Sequence, residues 1–165
     1  MAALHATGAA GRGKALSLHL RDDRLNLWLV AGGCLSLIAA LIHLAAIVGG
    51  PDWYRFFGAG EEIATAAERG SPAPALMTLA IAAVLLVWAA YAFAGAGLVR
   101  RLPLLRTGLV VISAIYLLRG LLLAPALVMG RVDSFTLWSS LIVLVYGVAY
   151  AVGTWRAWPT LRRRR

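Results

Sequence analysis

The sequence predicts an all-α polytopic membrane protein: a bundle of four transmembrane helices with a short extra helix in the first outer loop. Three observations predict it. Apolar blocks at 25–48, 75–99, 107–129 and 137–155 each hold roughly 20 residues or more, enough to cross about 30 Å of hydrocarbon at 1.5 Å per residue. The chain is 61% hydrophobic and only 14% charged, where a soluble domain carries about a quarter charged residues. The basic residues gather in alternate connections, as the loops of a multi-pass protein do. Transmembrane strands are excluded, because they alternate apolar with polar positions over about 10 residues and these blocks do not.

The domain plan is a basic, flexible tail (1–24), a membrane domain (25–158) and a second basic tail (159–165). The first block follows a long polar segment and exceeds the 7–15 apolar residues of a secretion-signal core, so it reads as a span. Its Gly32, Ser36 and Ala40 recur every fourth residue, with His43 one turn on, a face that lets helices approach closely. Cys34, the only cysteine, excludes an intrachain disulfide and a Cys-based metal cluster. It reads as a small buried residue.

The first outer loop, "GGPDWYRFFGAGEEIATAAERGSP", is the longest connection. A Gly-Gly-Pro breaker opens it. A short helix is expected over 61–69, with Glu61 and Glu62 in its first turn, Arg69 at its end and Gly70 as the stop. Asp52, Trp53, Tyr54, Arg55, Phe56 and Phe57 precede that helix. They read either as an amphipathic cap in the headgroup layer or as a lid that carries an acid inward.

The second block offers Ala82, Ala83, Ala89, Ala90, Ala94 and Gly97 for close packing. Its Trp88 lies too deep for an interfacial belt and is expected between helices or at a cavity. The short "RRLPLLR" link, broken by Pro103, predicts a tight antiparallel pairing with the third block. The fourth block brings Ser139, Ser140, Gly147 and Ala151. Trp28, Trp155 and Trp158 fit one aromatic belt, and Trp53 and Trp138 the other.

The formal net charge of +9 does not indicate nucleic acid, because its distribution is that of a membrane topology. Twelve of the sixteen basic residues lie in the N-terminal tail, the second loop and the C-terminal end from Arg156 onward. Both termini and that loop are therefore expected in the cytoplasm of a bacterial inner membrane. Arg55, Arg69 and Arg131 lie in the outer loops. The terminal "RRRR" reads as a topology anchor, with attraction to anionic lipid as the other reading.

The sixteenth basic residue, Arg119, interrupts the third block in "IYLLRGLLLAP". Twelve Leu, Ile or Val residues in that block contribute very roughly −4 to −7 kcal/mol to insertion, against about +3 for a central arginine, so the block still inserts. An intramembrane cation normally faces protein or water. The expectation is an outward-facing polar pocket: Arg119 and His43 as its floor, Tyr116 as its wall, and Glu61 or Glu62 as the charge partner, gripped by the guanidinium fork. His43 alone also reads as an interhelical hydrogen bonder, and Tyr116 alone as packing.

No nucleotide loop, GxSxG or HExxH is present, and no cofactor or metal is expected. "GGPDWYRFFGAGEE", "YAFAGAG" with "RRLPLLR", and "IYLLRGL" resemble small four-helix inner-membrane proteins of proteobacteria, over roughly 41–125. That resemblance implies a fold and a location, and no catalytic or ligand residues. Three functions remain open. One is a binding or accessory protein holding a small anionic or amphipathic ligand, or a lipid headgroup, at Arg119. Another is an enzyme using His43 with Glu61 or Glu62 as acid–base groups. The third is a structural subunit of a membrane complex. The expected partners are membrane lipids and a second copy or another membrane protein.

Overall fold

The computed structural model describes residues 25–122, 124, 130 and 134–161. The tail 1–24, the four terminal arginines, Arg131 and the outer part of the expected third span around Pro125 and Met129 lie outside the described residues. The described residues are all-helical, at 83% helix, with no strand among them. Among the described residues six helices are complete, in order: α1 (Leu27–Gly49), α2 (Pro51–Phe56), α3 (Glu61–Glu68), α4 (Ala73–Gly95), α5 (Leu105–Leu121) and α6 (Ser134–Leu161). Among the described residues, three stretches are long and apolar enough to cross a membrane: Leu27–Gly49, Ala73–Gly95 and Phe135–Leu161. Their best windows have mean hydropathies of 2.2, 2.3 and 1.8, yet only 28% of each window is buried inside the molecule. The apolar side chains left outside, such as Ile38, Leu41, Leu79 and Val87, need a solvent other than water. These features mark a membrane protein. α5 has 17 described residues.

α1 starts at Asn26, whose Oδ1 accepts the Leu29 amide at 3.3 Å while its Nδ2 donates to the Gly153 carbonyl at 2.7 Å. One side chain thus caps α1 and ties it to α6. Gly50, with φ +69°, ends α1, and Pro51 opens α2 at once, in the first-turn position where a missing N–H costs nothing. This second short helix was not expected from the sequence. α3 matches the expected 61–69 helix to within one residue, Arg69 being its C-cap.

The closest packed pairs are α1 with α4 and α5 with α6; α1 also packs on α6, whereas α1 and α5 stand at opposite corners. The short link does join α4 to α5, but α4 packs far more closely on α1 than on α5. The reason lies in where backbones can approach. A Cβ on Gly147 would lie 2.9 Å from the Leu117 backbone nitrogen, and one on Gly120 would lie 3.0 Å from Leu144 Cα. α5 and α6 therefore touch nearly backbone to backbone. Gly33 makes the equivalent room for Phe93 between α1 and α4, and Gly32 for Tyr150 between α1 and α6.

The small-residue face of α1 is buried as expected, at Gly32, Ser36 and Ala40. Cys34 is not: it is exposed, because it lies two positions before Ser36 and helical spacing turns it away from the core. At one end of the bundle, Arg106 stacks on Trp158 at 3.6 Å and Arg156 lies over Trp28 at 5.7 Å. Arg101 donates to the Thr160 carbonyl at 2.7 Å. The α4–α5 link, the start of α1 and the end of α6 thus share one end, and α2 and α3 cap the other.

Candidate functional site

The cap is organised by Arg55. Its Nη2 donates to Glu61 Oε1 at 2.7 Å and its Nε to Glu61 Oε2 at 2.9 Å. Its Nη1 lies 2.7 Å from Glu68 and 3.6 Å from Asp52. The planar fork of arginine suits this two-pronged grip. The pair holds the Glu61 carboxyl below the usual carboxylate range and raises Arg55 further, in each case mainly through these hydrogen bonds. Because α2 and α3 are joined by only four residues, the grip fixes the two short helices to each other.

Beneath it, Tyr54 is buried with Ala46 and Ala64, its hydroxyl buried without a hydrogen-bond partner among the described residues. Trp53 lies over Gly49, where a Cβ would collide with its indole ring. The Trp53 ring tilts against Phe57 at 5.8 Å, and Phe56 meets Phe57 edge-on at 5.0 Å. Glu62 is exposed.

The expected pocket is not assembled. Glu61 belongs to Arg55 rather than Arg119, because six residues of sequence separate the first pair while Arg119 lies on a different helix. Arg119 is exposed. Its Nη1 approaches Ser140 Oγ at 3.5 Å, and no carboxylate of the described residues forms an ion pair with it. His43 does not join it, since Arg119 turns outward beside Ser140 of α6 while α1 lies at the opposite corner from α5. The half-buried imidazole instead donates Nδ1–H to the Ala39 carbonyl one turn back, at 2.8 Å. A carbonyl can only accept, so Nδ1 carries the hydrogen.

Tyr116 turns inward and belongs to a different constellation. Ser36 Oγ lies 3.0 Å from the Tyr116 hydroxyl and 2.9 Å from that of Tyr150, and Tyr150 donates to the Trp88 carbonyl at 3.0 Å. Each hydroxyl has one hydrogen. Tyr150 commits its own to the carbonyl, so Ser36 must donate to Tyr150, and Tyr116 to Ser36. The result is a directed chain, Tyr116 to Ser36 to Tyr150 to Trp88, joining all four long helices in the core. Trp88 packs edge-on to Tyr116 at 4.8 Å, and Tyr146 does so at 5.4 Å. Trp88 thus lies between helices, as expected. Tyr146 and Tyr150 were missed by the sequence reading. Their four-residue spacing in an apolar helix, opposite another membrane-embedded tyrosine, was the available signal.

The described residues therefore form three polar centres: a closed ion cluster in the cap, a self-satisfied hydroxyl chain in the core, and a cation at the rim of α5 and α6 that has no carboxylate partner among them. Comparisons with protein-family models, with curated proteins and with solved structures find no match to this chain.

Proposed function

We propose that the chain is a four-span protein of a bacterial inner membrane, with both termini cytoplasmic, that binds an anionic amphiphile through Arg119 at its outer rim. α5 supplies the fourth span. Its 17 described residues give about 26 Å of helix, and Ala124 is helical as well. The orientation follows from charge. Arg100, Arg101, Arg106 and Arg156 lie at the end opposite the cap, and short basic loops remain in the cytoplasm.

One observation carries the reading. Arg119 is exposed, near the cap-side end of α5, with a 3.5 Å contact to Ser140 and no carboxylate among the described residues. Ile115, Leu118 and Leu122 around it are exposed and apolar, so the guanidinium rises along a lipid-facing surface toward the headgroups. A phosphate there supplies the missing negative charge and accepts from the donors that Ser140 leaves open. The acid–base enzyme reading has no comparable support. Both oxygens of Glu61 are held by Arg55, and His43 is directed at its own helix.

The test is electron spin resonance of acyl-chain-labelled lipids around the reconstituted protein. Wild type should prefer phosphatidylglycerol to phosphatidylcholine at its boundary, and Arg119→Gln should reduce that preference. An equal preference in both proteins would remove Arg119 from the reading.

A further inference from the structure

A second feature lies at the other end of the molecule. Just beyond the close approach of Gly147 to Leu117, a groove of about 450 Å³ opens between α5 and α6. Val110, Ala114 and Leu117 line one side, and Ala151, Thr154 and Trp158 the other. Arg106 stacks on Trp158 at its mouth. The groove is apolar except for Ser113 and Thr154, and these two differ. Ser113 donates to the Leu109 carbonyl of its own helix at 2.7 Å. Thr65 and Thr78 make the same backward bond at 2.8 Å. Thr154 does not. It is 4% exposed, and its hydroxyl is buried with no partner among the described residues. A buried hydroxyl without a partner is costly, and Thr154 is one of the residues that line the groove.

Among the described residues the charge at this end is one-sided. Every carboxylate of the described residues (Asp52, Glu61, Glu62 and Glu68) lies in the cap or its helices, while the groove's end carries Arg100, Arg101, Arg106 and Arg156. The levels also fit a particular shape. Thr154 lies four residues before Trp158, one helical turn deeper, about 6 Å. From Val110 to Leu117 the apolar floor runs about 10 Å further along the axis.

We infer that this groove binds an anionic glycerophospholipid of the inner leaflet. Its phosphate sits at Arg106, an ester carbonyl accepts from Thr154, and the acyl chain lies along Ala114, Leu117 and Ala151. An anionic head, an acceptor one turn below it and an apolar chain below that are the three groups the groove presents partners for. This site is separate from Arg119 and does not depend on it.

The experiment uses the full chain in phosphatidylcholine vesicles doped with phosphatidylglycerol that carries a diazirine in one acyl chain, with photo-adducts mapped by mass spectrometry. Adducts should concentrate on the 110–117 and 151–158 segments. Arg106→Gln should lower them about fivefold, the effect of about 1 kcal/mol for one basic residue at a membrane surface. Thr154→Val, which keeps the shape, should lower them about threefold, and equally when the diazirine is carried by phosphatidylcholine, which shares the ester. Thr154→Ser should restore wild-type labelling. Ala151→Leu, which fills the groove, should abolish groove adducts while leaving labelling of α1 and α4 intact, which also reports on folding. Arg119→Gln should leave groove adducts unchanged, so failure at one site is distinguishable from failure at the other. Adducts spread evenly over all exposed helix faces, or groove adducts indifferent to Arg106→Gln and Thr154→Val, would overturn the inference.

Discussion

Arg55 and Glu61 form a two-pronged ion pair across the joint between α2 and α3, with N–O distances of 2.7 and 2.9 Å. The pair lies in solvent, so its role is to hold the cap's shape. Arg55→Gln should raise amide hydrogen exchange across residues 58–71 and leave the four long helices unchanged. Equal protection in the two proteins would show that the cap is held by Tyr54, Ala46 and Ala64 alone.

The same pair sets a pH dependence. The Glu61 carboxyl is held below its ordinary value of 4.5 by Arg55. Its contribution to cap stability is therefore fully present above that ordinary value and is lost as the pH falls through the lowered folded one. Cap protection should persist through mildly acidic pH and fail only in stronger acid. In Glu61→Gln it should be weaker at neutral pH and lack that acid transition.

The hydroxyl chain predicts an order of costs. Tyr150→Phe removes a donated and an accepted hydrogen bond, whereas Tyr116→Phe removes one donated bond. Ser36→Ala should destabilise by about 1–2 kcal/mol, Tyr150→Phe by a similar amount and Tyr116→Phe by less. Thermal unfolding in detergent ranks them. A costlier Tyr116→Phe would contradict the direction assigned to the chain.

Close approach predicts a second series. Gly147→Ala places a methyl 2.9 Å from a backbone nitrogen, which cannot rotate away, whereas at Gly32 the neighbour at 2.9 Å is the Tyr150 ring. Gly147→Ala should cost about 1–3 kcal/mol. Both substitutions can be compared by the same unfolding measurement, and Gly32→Ala should cost less.

Much of the fold was legible in the sequence because a membrane enforces simple rules. Block length and hydropathy located the long helices. Glu61, Glu62 and Gly70 placed α3, and four-residue spacing picked the buried face of Gly32, Ser36 and Ala40. The candidate site was less legible. A rare cation and a nearby acid suggest a pair, but Arg55 is only six residues from Glu61 while Arg119 must be brought to it by tertiary structure. Which corner of the bundle a helix occupies is not written in its periodicity, and it was this that separated His43 from Arg119. Gly120 stands beside Arg119 in sequence, yet its use is to admit Leu144. Tyr146 and Tyr150 were passed over because aromatics in an apolar helix read first as packing.

Because Arg119 has no acidic partner among the described residues, Arg119→Leu should leave thermal stability in neutral detergent within about 0.5 kcal/mol of wild type. Glu61→Gln and Arg119→Leu should combine additively. A coupling well above that level would restore the Glu61–Arg119 pair.

Native mass spectrometry of the full-length protein, titrated with phosphatidylglycerol or phosphatidylcholine of identical chains, tests the assignment of Arg119 most directly. Wild type should retain one more phosphatidylglycerol than Arg119→Gln at matched lipid concentration, with phosphatidylcholine retention the same in both. Identical phosphatidylglycerol retention by the two proteins would contradict an anionic amphiphile bound at that arginine.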